Sequence, residues 1–285
     1  MLNVFQKLQA LAPRSRNSDG EPSLTSPVSQ ACTQSQMHEP LYAYWCEQIG
    51  ETPRFHRKQW EFCYIIQSLF VNGMLASGRQ GLGFGVGHEP LSALFASRGA
   101  RILGTDLEPI RAQQDGWVDT DQHAASKQAM NMRGLCDADR FNAQVDFRFM
   151  DMNRIDPDLT GQFDFCWSAC AFEHLGSIAK GLDFVMASVD CLKPGGVAVH
   201  TTELNCYSNS KTIDNEPTVL FRKRDFLELH KRLEANGCRV AFNFNLGQQP
   251  LDSHVDVPPY HADAHLKLRI GQWTSTSFGV LVQKN

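Results

Sequence analysis

Three glycines at alternating positions, Gly83, Gly85 and Gly87, are followed further along the chain by a single acid, Asp106. Glycine has no β-carbon, so this spacing lets the backbone turn tightly and approach a bound molecule closely. Asp106 ends the apolar run 100–105 and lies about 20 residues after the glycines, where nucleotide-binding βαβ units place an acid that binds ribose hydroxyls. These residue types and their spacing predict a crevice for an adenosine-containing cofactor.

The glycine spacing distinguishes between two classes of cofactor. Dinucleotide-binding proteins require G-x-G-x-x-G, but the sixth position counted from Gly81 is Val86, and that counted from Gly83 is His88. What remains is G-x-G-x-G, which resembles the first motif of class I S-adenosylmethionine-dependent methyltransferases. That motif begins with an acid where this chain has Gly81, so the family's contact to the amino end of the cofactor is weakened here or moved to another residue. A glycine turn that binds no ligand is the alternative.

Three later segments carry the same resemblance. Asp151 and Met152 follow the alternating strand pattern 145–150; in the family, an acid at this point bonds the adenine amino group and the next side chain packs near the ring. The segment 171–175 is similar to the one after the family's fourth strand, and the Pro-Gly-Gly turn at 194–196 precedes the fifth. The resemblance covers about residues 75–285. It implies S-adenosylmethionine as the cofactor, bound by Gly83, Phe84, Gly85, Gly87, Asp106, Leu107, Asp151, Met152 and Ser168.

Methyl transfer depends on holding the acceptor atom in line with the methyl carbon, and an oxygen acceptor of high pKa also needs a base or a metal. Glu173 and His174 follow the predicted fourth strand and form C-x-x-E-H with Cys170, where related O-methyltransferases carry the metal-binding E-x-x-E-H. The cysteine disfavours a hard divalent metal, so we expect none. His174 is the candidate general base, with Glu173 and Glu203 as further catalytic candidates. The alternative is that this segment only packs the helix that follows it.

Polar residues at three other places are candidates for acceptor binding. His200 and Asn205 lie where the predicted fifth strand enters the crevice, although His200 equally suits a buried strand position. The loop 252–265 carries several His and Asp residues whose spacing matches no metal template, so acceptor binding through Tyr260 and His261 is favoured. A small basic cluster at 54–58 is either a solvated face or a site for an anionic acceptor.

The composition excludes several classes of protein. The chain of 285 residues has a net charge of −4, which argues against binding to nucleic acid. No apolar run reaches the roughly 20 residues of a membrane span, and the N-terminus lacks the pattern of a secretory signal. The nine cysteines are scattered and form no C-x-x-C pair. We therefore expect neither a disulfide framework nor a zinc site, and a reducing cytoplasm is the predicted location.

Positioning these residues requires alternating strands and helices. The pattern of residues 1–38 predicts a short amphipathic helix at Met1–Pro13 followed by a flexible linker. Residues 39–285 are expected to form a methyltransferase domain with a helical cover at 39–75. Beyond residue 75 the alternation predicts a Rossmann-like, doubly wound α/β sheet, which the resemblance implies has seven strands with the last antiparallel. We expect strands at Gln80–Phe84, Arg101–Thr105, Gln144–Phe149, Phe163–Ser168, Gly196–Thr201, Arg239–Asn245 and Ser275–Gln283, with 246–271 irregular. We expect helices at Pro90–Arg98, Asp121–Arg133, Ile178–Leu192 and Lys223–Asn236.

Together these patterns predict an S-adenosylmethionine-dependent methyltransferase. The candidate base favours O-methylation of a small-molecule or glycan-intermediate acceptor, and the whole pattern is similar to bacterial methyltransferases of surface-glycan assembly. A nicotinamide-dependent oxidoreductase is an alternative, although the glycine spacing counts against it. The missing acid at Gly81 leaves a third alternative, a non-catalytic binding protein with a methyltransferase fold. The pattern indicates no particular oligomeric state.

Overall fold

The computed structural model describes residues 20–114 and 123–285. The strands in this part of the chain are β1 (Ser29–Gln30), β2 (Gln80–Phe84), β3 (Arg101–Asp106), β4 (Val145–Phe149), β5 (Phe163–Ala169), β6 (Leu192–Asn205), β7 (Cys238–Val240), β8 (Phe242–Asn243), β9 (Val255–Asp256), β10 (Lys267–Ile270) and β11 (Trp273–Lys284). The helices are α1 (Gln34–Met37), α2 (Pro40–Gln48), α3 (Arg57–Val71), α4 (Leu91–Ser97), α5 (Pro109–Gln114), α6 (Ala138–Gln144), α7 (Ile178–Asp190), α8 (Lys223–Ala235) and α9 (Pro250–Ser253). Short 3₁₀ turns occupy Lys127–Asn131, Pro157–Leu159 and Phe172–His174.

The main sheet has a parallel centre and one long antiparallel strand. Its order is β4-β3-β2-β5-β6-β11-β10-β9, and β7 also pairs with β11. Strands β2 to β6 pair in parallel, whereas β11 runs antiparallel to β6. The predicted parallel α/β sheet with an antiparallel last strand is confirmed, and the strand order reverses between β2 and β5, where open sheets of this kind bind ligands.

The described residues place nine strands in this sheet instead of the predicted seven. The stretch 246–271, expected to be irregular, contains β9 and β10, and β10 pairs with the first half of β11. The strand expected at 239–245 is divided: β7 pairs with the end of β11, and β8 leaves the sheet to pair with β1. The reason is that β11 is twelve residues long, so its outer edge offers backbone groups to two short strands at once.

The predicted linker is wrong for residues 20–37, which pack into the fold. Leu24 and Cys32 are fully buried. The polar side chains that suggested a linker bond one another: Gln30 Nε2 donates to Gln36 Oε1 over 2.6 Å, and the Trp60 indole donates to the same oxygen over 3.0 Å. Buried polar groups that find such partners carry little penalty. The helix expected at Met1–Pro13 lies outside the described residues.

The helix expected at Asp121–Arg133 is also wrong over its described part, residues 123–133. Only a 3₁₀ turn forms there, at Lys127–Asn131. The preceding residues are held by β3: the Ala124 amide donates to Asp106 Oδ2 over 2.9 Å, and His123 Nε2 lies 2.6 Å from the Leu107 carbonyl oxygen. These tertiary contacts override the local helical pattern.

Helices cover both faces of the parallel sheet. Leu82 and Phe84 point to the face under α7 and α8, whereas Phe165 and Trp167 point to the face under α2, α3 and α4. The alternation follows from the two-residue period of a strand. Within residues 20–114 and 123–285, no helix combines the length and apolar character that crossing a membrane requires.

Candidate functional site

A cavity of about 370 Å³ opens where the parallel strands β2 to β5 end. Its volume lies in the range of small-molecule sites. It sits at the reversal of strand order, so the sheet delivers several strand ends to one place. The lining residues are 58, 61–62, 85–89, 106–107, 111, 150–153, 169–171 and 174–175.

Gly85 and Gly87 form the wall of the cavity that follows β2. Their φ angles are +58° and +45°, in the left-handed region that side chains rarely adopt. A β-carbon at Gly85 would lie 3.1 Å from the β-carbon of Ala171, so the turn is closely packed. Neither glycine places a side chain between its backbone and the cavity, so the backbone itself lines this wall.

Gly83 and Phe84 support this turn from within the sheet and do not line the cavity. A β-carbon at Gly83 would overlap the indole of Trp167. Phe84 is fully buried and packs edge-on against Phe184, with ring centroids 5.1 Å apart. The structure thus places both residues in packing positions beneath the cavity.

Asp106 ends β3 and lies against the glycine turn. Its Oδ2 accepts hydrogen bonds from the amides of Gly87 at 3.0 Å and Ala124 at 2.9 Å, and Oδ1 accepts one from Leu107 at 2.8 Å. Burial raises the pKa of Asp106, and the three amides oppose that shift without cancelling it. Since each carboxylate oxygen can accept two hydrogen bonds, Oδ1 can still receive a hydroxyl from the cavity. Asp106 and Leu107 both line the cavity.

Asp151 and Met152 also line the cavity, directly after β4. Asp151 Oδ1 accepts from the Asn153 amide over 2.8 Å, and Oδ2 lies 2.6 Å from Arg111 Nη1. Burial alone would raise the pKa of Asp151, but these two partners outweigh it and hold the pKa below its ordinary value. The thioether of Met152 lies beside Gly85. An ionised acceptor next to an apolar surface suits an aromatic ring that carries an amino group.

Ser168 and His200 lie beneath the cavity. His200 Nδ1 is 2.9 Å from Ser168 Oγ, and Nε2 is 3.0 Å from Ser188 Oγ, with all three side chains fully buried. Burial lowers the pKa of His200 to about 3, so the ring is neutral at ordinary pH. The structure does not bring Ser168 or His200 to the cavity lining, because their polar atoms bond each other and Ser188 between the sheet and α7.

His174 borders the cavity, and a backbone carbonyl orients its ring. Nδ1 lies 3.1 Å from the Pro217 carbonyl oxygen. Nδ1 also lies 3.2 Å from the Thr218 hydroxyl, which can donate or accept. In the tautomer that donates from Nδ1 to the Pro217 carbonyl, the lone pair is on Nε2. Nε2 lies 3.8 Å from Oε1 of the buried Glu173, whose Oε2 accepts a hydrogen bond from Thr202 over 3.0 Å. This arrangement suits a general base with its basic nitrogen oriented away from the carbonyl.

Glu203 belongs to a buried polar cluster behind His174. Its Oε1 lies 2.5 Å from Arg57 Nη1, which is also 3.5 Å from Glu61 Oε1 and 3.8 Å from Cys170 Sγ. Ligand atoms of Cys170, Glu173 and Glu203 lie within 4.8 Å of one another, close enough to hold a metal ion. The Arg57 guanidinium already neutralises Glu203, so a metal there would lie beside an existing positive charge. Glu203 does not line the cavity.

Asn205, Tyr260 and His261 are not at the cavity either. Strand β6 runs to Asn205, four residues beyond its expected end at 201, and therefore carries this side chain past the cavity to bond Thr212. The Tyr260 hydroxyl donates to a backbone carbonyl of β10. His261 Nδ1 lies 2.8 Å from Asp256 Oδ1. The structure therefore does not bring these three side chains, which were predicted to contact the acceptor, to the cavity.

The sequence patterns missed several cavity residues, among them Glu61 and Phe62 on α3, Arg111 on α5 and Glu89 just beyond the glycine turn. The basic cluster at 54–58 is more than a solvated face, since Lys58 lines the cavity and Arg57 is buried. Positions 58, 61 and 62 share one face of a helix, which is the signal that could have revealed them. Glu89 had no such signal except its place directly after the motif.

No protein-family model matches this sequence, and a search of curated proteins finds no match either. A search of solved structures does find matches. The chain is similar to the CcbJ methyltransferase from Streptomyces caelestis, with 16% identity over 51% of this chain and 54% of that one, and a TM-score of 0.37. This match spans about half the length of that protein.

Two further solved structures match more of the chain. An S-adenosylmethionine-dependent methyltransferase from Mesorhizobium loti shares 13% identity over 76% of this chain and 96% of that one, with a TM-score of 0.45. The magnesium protoporphyrin IX methyltransferase from Synechocystis PCC 6803 shares 11% over 84% and 92%, with a TM-score of 0.46. Similarity of this degree assigns no activity by itself, so the function must be argued from the cavity and its side chains.

Proposed function

We propose that this chain is an S-adenosylmethionine-dependent methyltransferase. One observation carries the proposal: Asp106, at the end of β3, lies beside the bare backbone of Gly85 and Gly87, in the same cavity as Asp151 and Met152. A hydroxyl-binding acid, a close backbone approach and a site for an aromatic amine are the three features that an adenosyl ligand requires. They come from three neighbouring strand ends, at the reversal of strand order.

Each of these residues has a distinct part in holding the cofactor. When bound, S-adenosylmethionine supplies a methyl group on a positively charged sulfur. Asp106 accepts the ribose hydroxyls, Asp151 accepts from the adenine amino group, and Met152 packs against the ring. Arg111 and the Asn153 amide keep Asp151 ionised, so it remains an acceptor. The positive φ of Gly85 leaves the backbone open beside the ligand.

His174 is the proposed base for O-methylation. Its Nε2 carries the lone pair in the tautomer that donates from Nδ1 to the Pro217 carbonyl, and the side chain lines the same cavity. Nε2 would take the hydroxyl proton of the acceptor, and the cofactor would supply the methyl group that the oxygen receives in place of that proton. The proposed acceptor is a hydroxylated small molecule or glycan intermediate, as in the bacterial methyltransferases of surface-glycan assembly that the sequence resembles.

The proposed location is a reducing cytoplasm. All nine cysteines are free, and eight of them are buried. Scattered free thiols are typical of proteins that do not enter oxidising compartments. The net charge of −4 supports a small acceptor in preference to nucleic acid.

Calorimetric titration with S-adenosylhomocysteine tests the cofactor assignment. We expect micromolar binding by the wild type and at least about tenfold weaker binding by Asp106→Ala, because charged hydrogen bonds are lost. Asp156→Ala, which changes a half-buried acid outside the cavity, is the matched control. Binding of NAD without S-adenosylhomocysteine would favour the oxidoreductase. Cofactor binding without turnover on a broad panel of hydroxylated acceptors would favour a non-catalytic binding protein.

A further inference from the structure

The position that holds the first acid of the glycine motif in related sequences cannot hold one in this chain. Gly81 occupies that position, and a β-carbon there would overlap the ring of Phe165 and approach the Ile102 side chain within 3.0 Å. Phe165 is fully buried and pairs across the sheet with Gly81, so its ring has no room to withdraw. Packing in the sheet therefore excludes any carboxylate from this position.

A different carboxylate reaches the same cavity. Glu89 lines it two residues beyond Gly87, and its Oε1 accepts a hydrogen bond of 2.5 Å from the indole nitrogen of Trp167. The indole is itself fixed, because Phe95 packs edge-on against it at 5.0 Å and Phe165 stacks beside it at 5.9 Å. The aromatic packing that leaves no room for an acidic side chain at position 81 thus also orients Glu89.

Glu89 is also a cavity carboxylate without a cation, and unlike Asp106, which accepts three backbone amides, it accepts a single hydrogen bond from the described residues. Asp151 pairs with Arg111, and Glu61 lies within 3.7 Å of Lys58. In the part of the chain that the structure describes, no lysine, arginine or histidine lies within ion-pair distance of Glu89; the charges that act on it are the acids Asp106 and Glu61. A half-buried carboxylate that no cation neutralises is a strong acceptor for a positively charged hydrogen-bond donor.

We propose that Glu89 binds the amino group of the cofactor, taking over the contact that Gly81 cannot make. The inference rests on the proposed function, since S-adenosylmethionine and its demethylated product both carry this ammonium. Two hydrogen-bond acceptors remain for it on Glu89, the second lone pair of Oε1 and the oxygen Oε2, for which the described residues supply no donor.

Two ligands that differ at the amino-acid end test this contact. S-adenosylhomocysteine carries the amino group, whereas 5′-methylthioadenosine shares its adenosine and sulfur but lacks the amino acid. We expect Glu89→Gln to weaken S-adenosylhomocysteine binding by roughly 10- to 100-fold and 5′-methylthioadenosine binding by less than about twofold. Asp106→Ala, which removes the ribose contact, is expected to weaken both ligands.

The outcomes separate this inference from the function on which it rests. Failure of the wild type to bind S-adenosylhomocysteine would overturn both. Wild-type binding that Glu89→Gln leaves unchanged, or equal loss of both ligands in Glu89→Gln, would overturn the role of Glu89 alone. The glutamine is isosteric and keeps an oxygen acceptor for Trp167, so the variant is expected to fold; Glu89→Ala, with the melting temperature as a check, must show the same split.

Discussion

Arg57 and Glu203 form a buried ion pair that joins the start of α3 to the end of β6. Arg57 Nη1 lies 2.5 Å from Glu203 Oε1, and both side chains are less than a tenth exposed. Ser275 donates to the other oxygen of Glu203 over 2.5 Å. Because α3 also carries Lys58 and Glu61 to the cavity, this pair fixes the helix that covers the site.

Removing one partner of this pair is expected to be strongly destabilising. Glu203→Gln leaves the Arg57 charge without its closest counterion, at an expected loss of about 3–5 kcal/mol in the free energy of unfolding. Urea denaturation measures the loss, and the double variant with Arg57→Met should be more stable than Glu203→Gln alone. A loss below about 1 kcal/mol for Glu203→Gln would show that the pair does not hold α3 in place.

The same pair gives stability a defined pH dependence. Burial alone would raise the pKa of Glu203, but Arg57 outweighs it and lowers the pKa below its ordinary value. As the pH falls, the Glu203 carboxylate therefore takes up its proton at a lower pH in the folded state than in the unfolded state. The contribution is complete above the unfolded pKa of about 4.3 and disappears as pH falls through the folded value. In denaturation curves measured from pH 6 to pH 3, Glu203→Gln should lack this contribution to the fall in the free energy of unfolding.

His200 adds a second pH dependence, with a window closer to neutrality. Its pKa is lowered by burial to about 3, whereas an unfolded histidine titrates near 6.5. Below about pH 6.5 the histidine is therefore protonated in the unfolded state and neutral in the folded state. The free energy of unfolding falls as the pH drops through this range. The expected loss is about 2 kcal/mol between pH 6.5 and pH 5.

His200→Asn should flatten that part of the stability profile. Its affinity for S-adenosylhomocysteine should stay within about twofold of the wild type, because His200 lies beneath the cavity. An unchanged slope, or a lost cofactor affinity, would contradict the structural role assigned to this ring.

His174 should affect turnover and leave cofactor binding intact. His174→Gln removes the proposed base, so kcat with an acceptor found by screening is expected to fall roughly 10²- to 10⁴-fold. His261→Gln, an exposed histidine away from the cavity, is the matched control and should retain full activity. Equal rates for the two variants would remove His174 from the mechanism.

Gly85 should be required for ligand binding as well as for the turn. Gly85→Ala places a methyl group 3.1 Å from Ala171 at a φ of +58°, beside the cavity. Gly73→Ala has a similar φ of +70° in open space away from the cavity, so it incurs the backbone strain without the obstruction. Both variants should lose about 1 kcal/mol of stability or somewhat more, but only Gly85→Ala should lose S-adenosylhomocysteine affinity. Equal affinities would argue against ligand contact with this turn.

Asp106 and Asp151, which are proposed to hold the cofactor, could be located from sequence because they follow strand ends directly, whereas Gly83, Phe84 and Ser168 lie outside the cavity lining. Parallel strands deliver their carboxyl ends to one edge of a sheet, so Asp106 and Asp151 converge once the strands are recognised. The glycine turn is similarly local, since its conformation depends on residue type. Local patterns thus suffice where the chain itself brings the residues together.

The acceptor half could not be predicted in the same way. Whether His200 points to the cavity or to α7 depends on strand register, and whether Asn205 reaches the cavity depends on where β6 ends. Lys58 and Glu61 come from a helix far from the strand ends in sequence. The packing of residues 20–37 likewise depends on partners such as Trp60 that no local pattern identifies.

A crystal structure of the chain with S-adenosylhomocysteine at saturating concentration tests the central claim most directly. We predict electron density in the cavity after β2, with ribose hydroxyls on Asp106 and the adenine between Asp151 and Met152. Ligand bound at another surface, or a cavity without ligand density at a concentration that saturates binding in solution, would contradict the assignment of this cavity as the cofactor site.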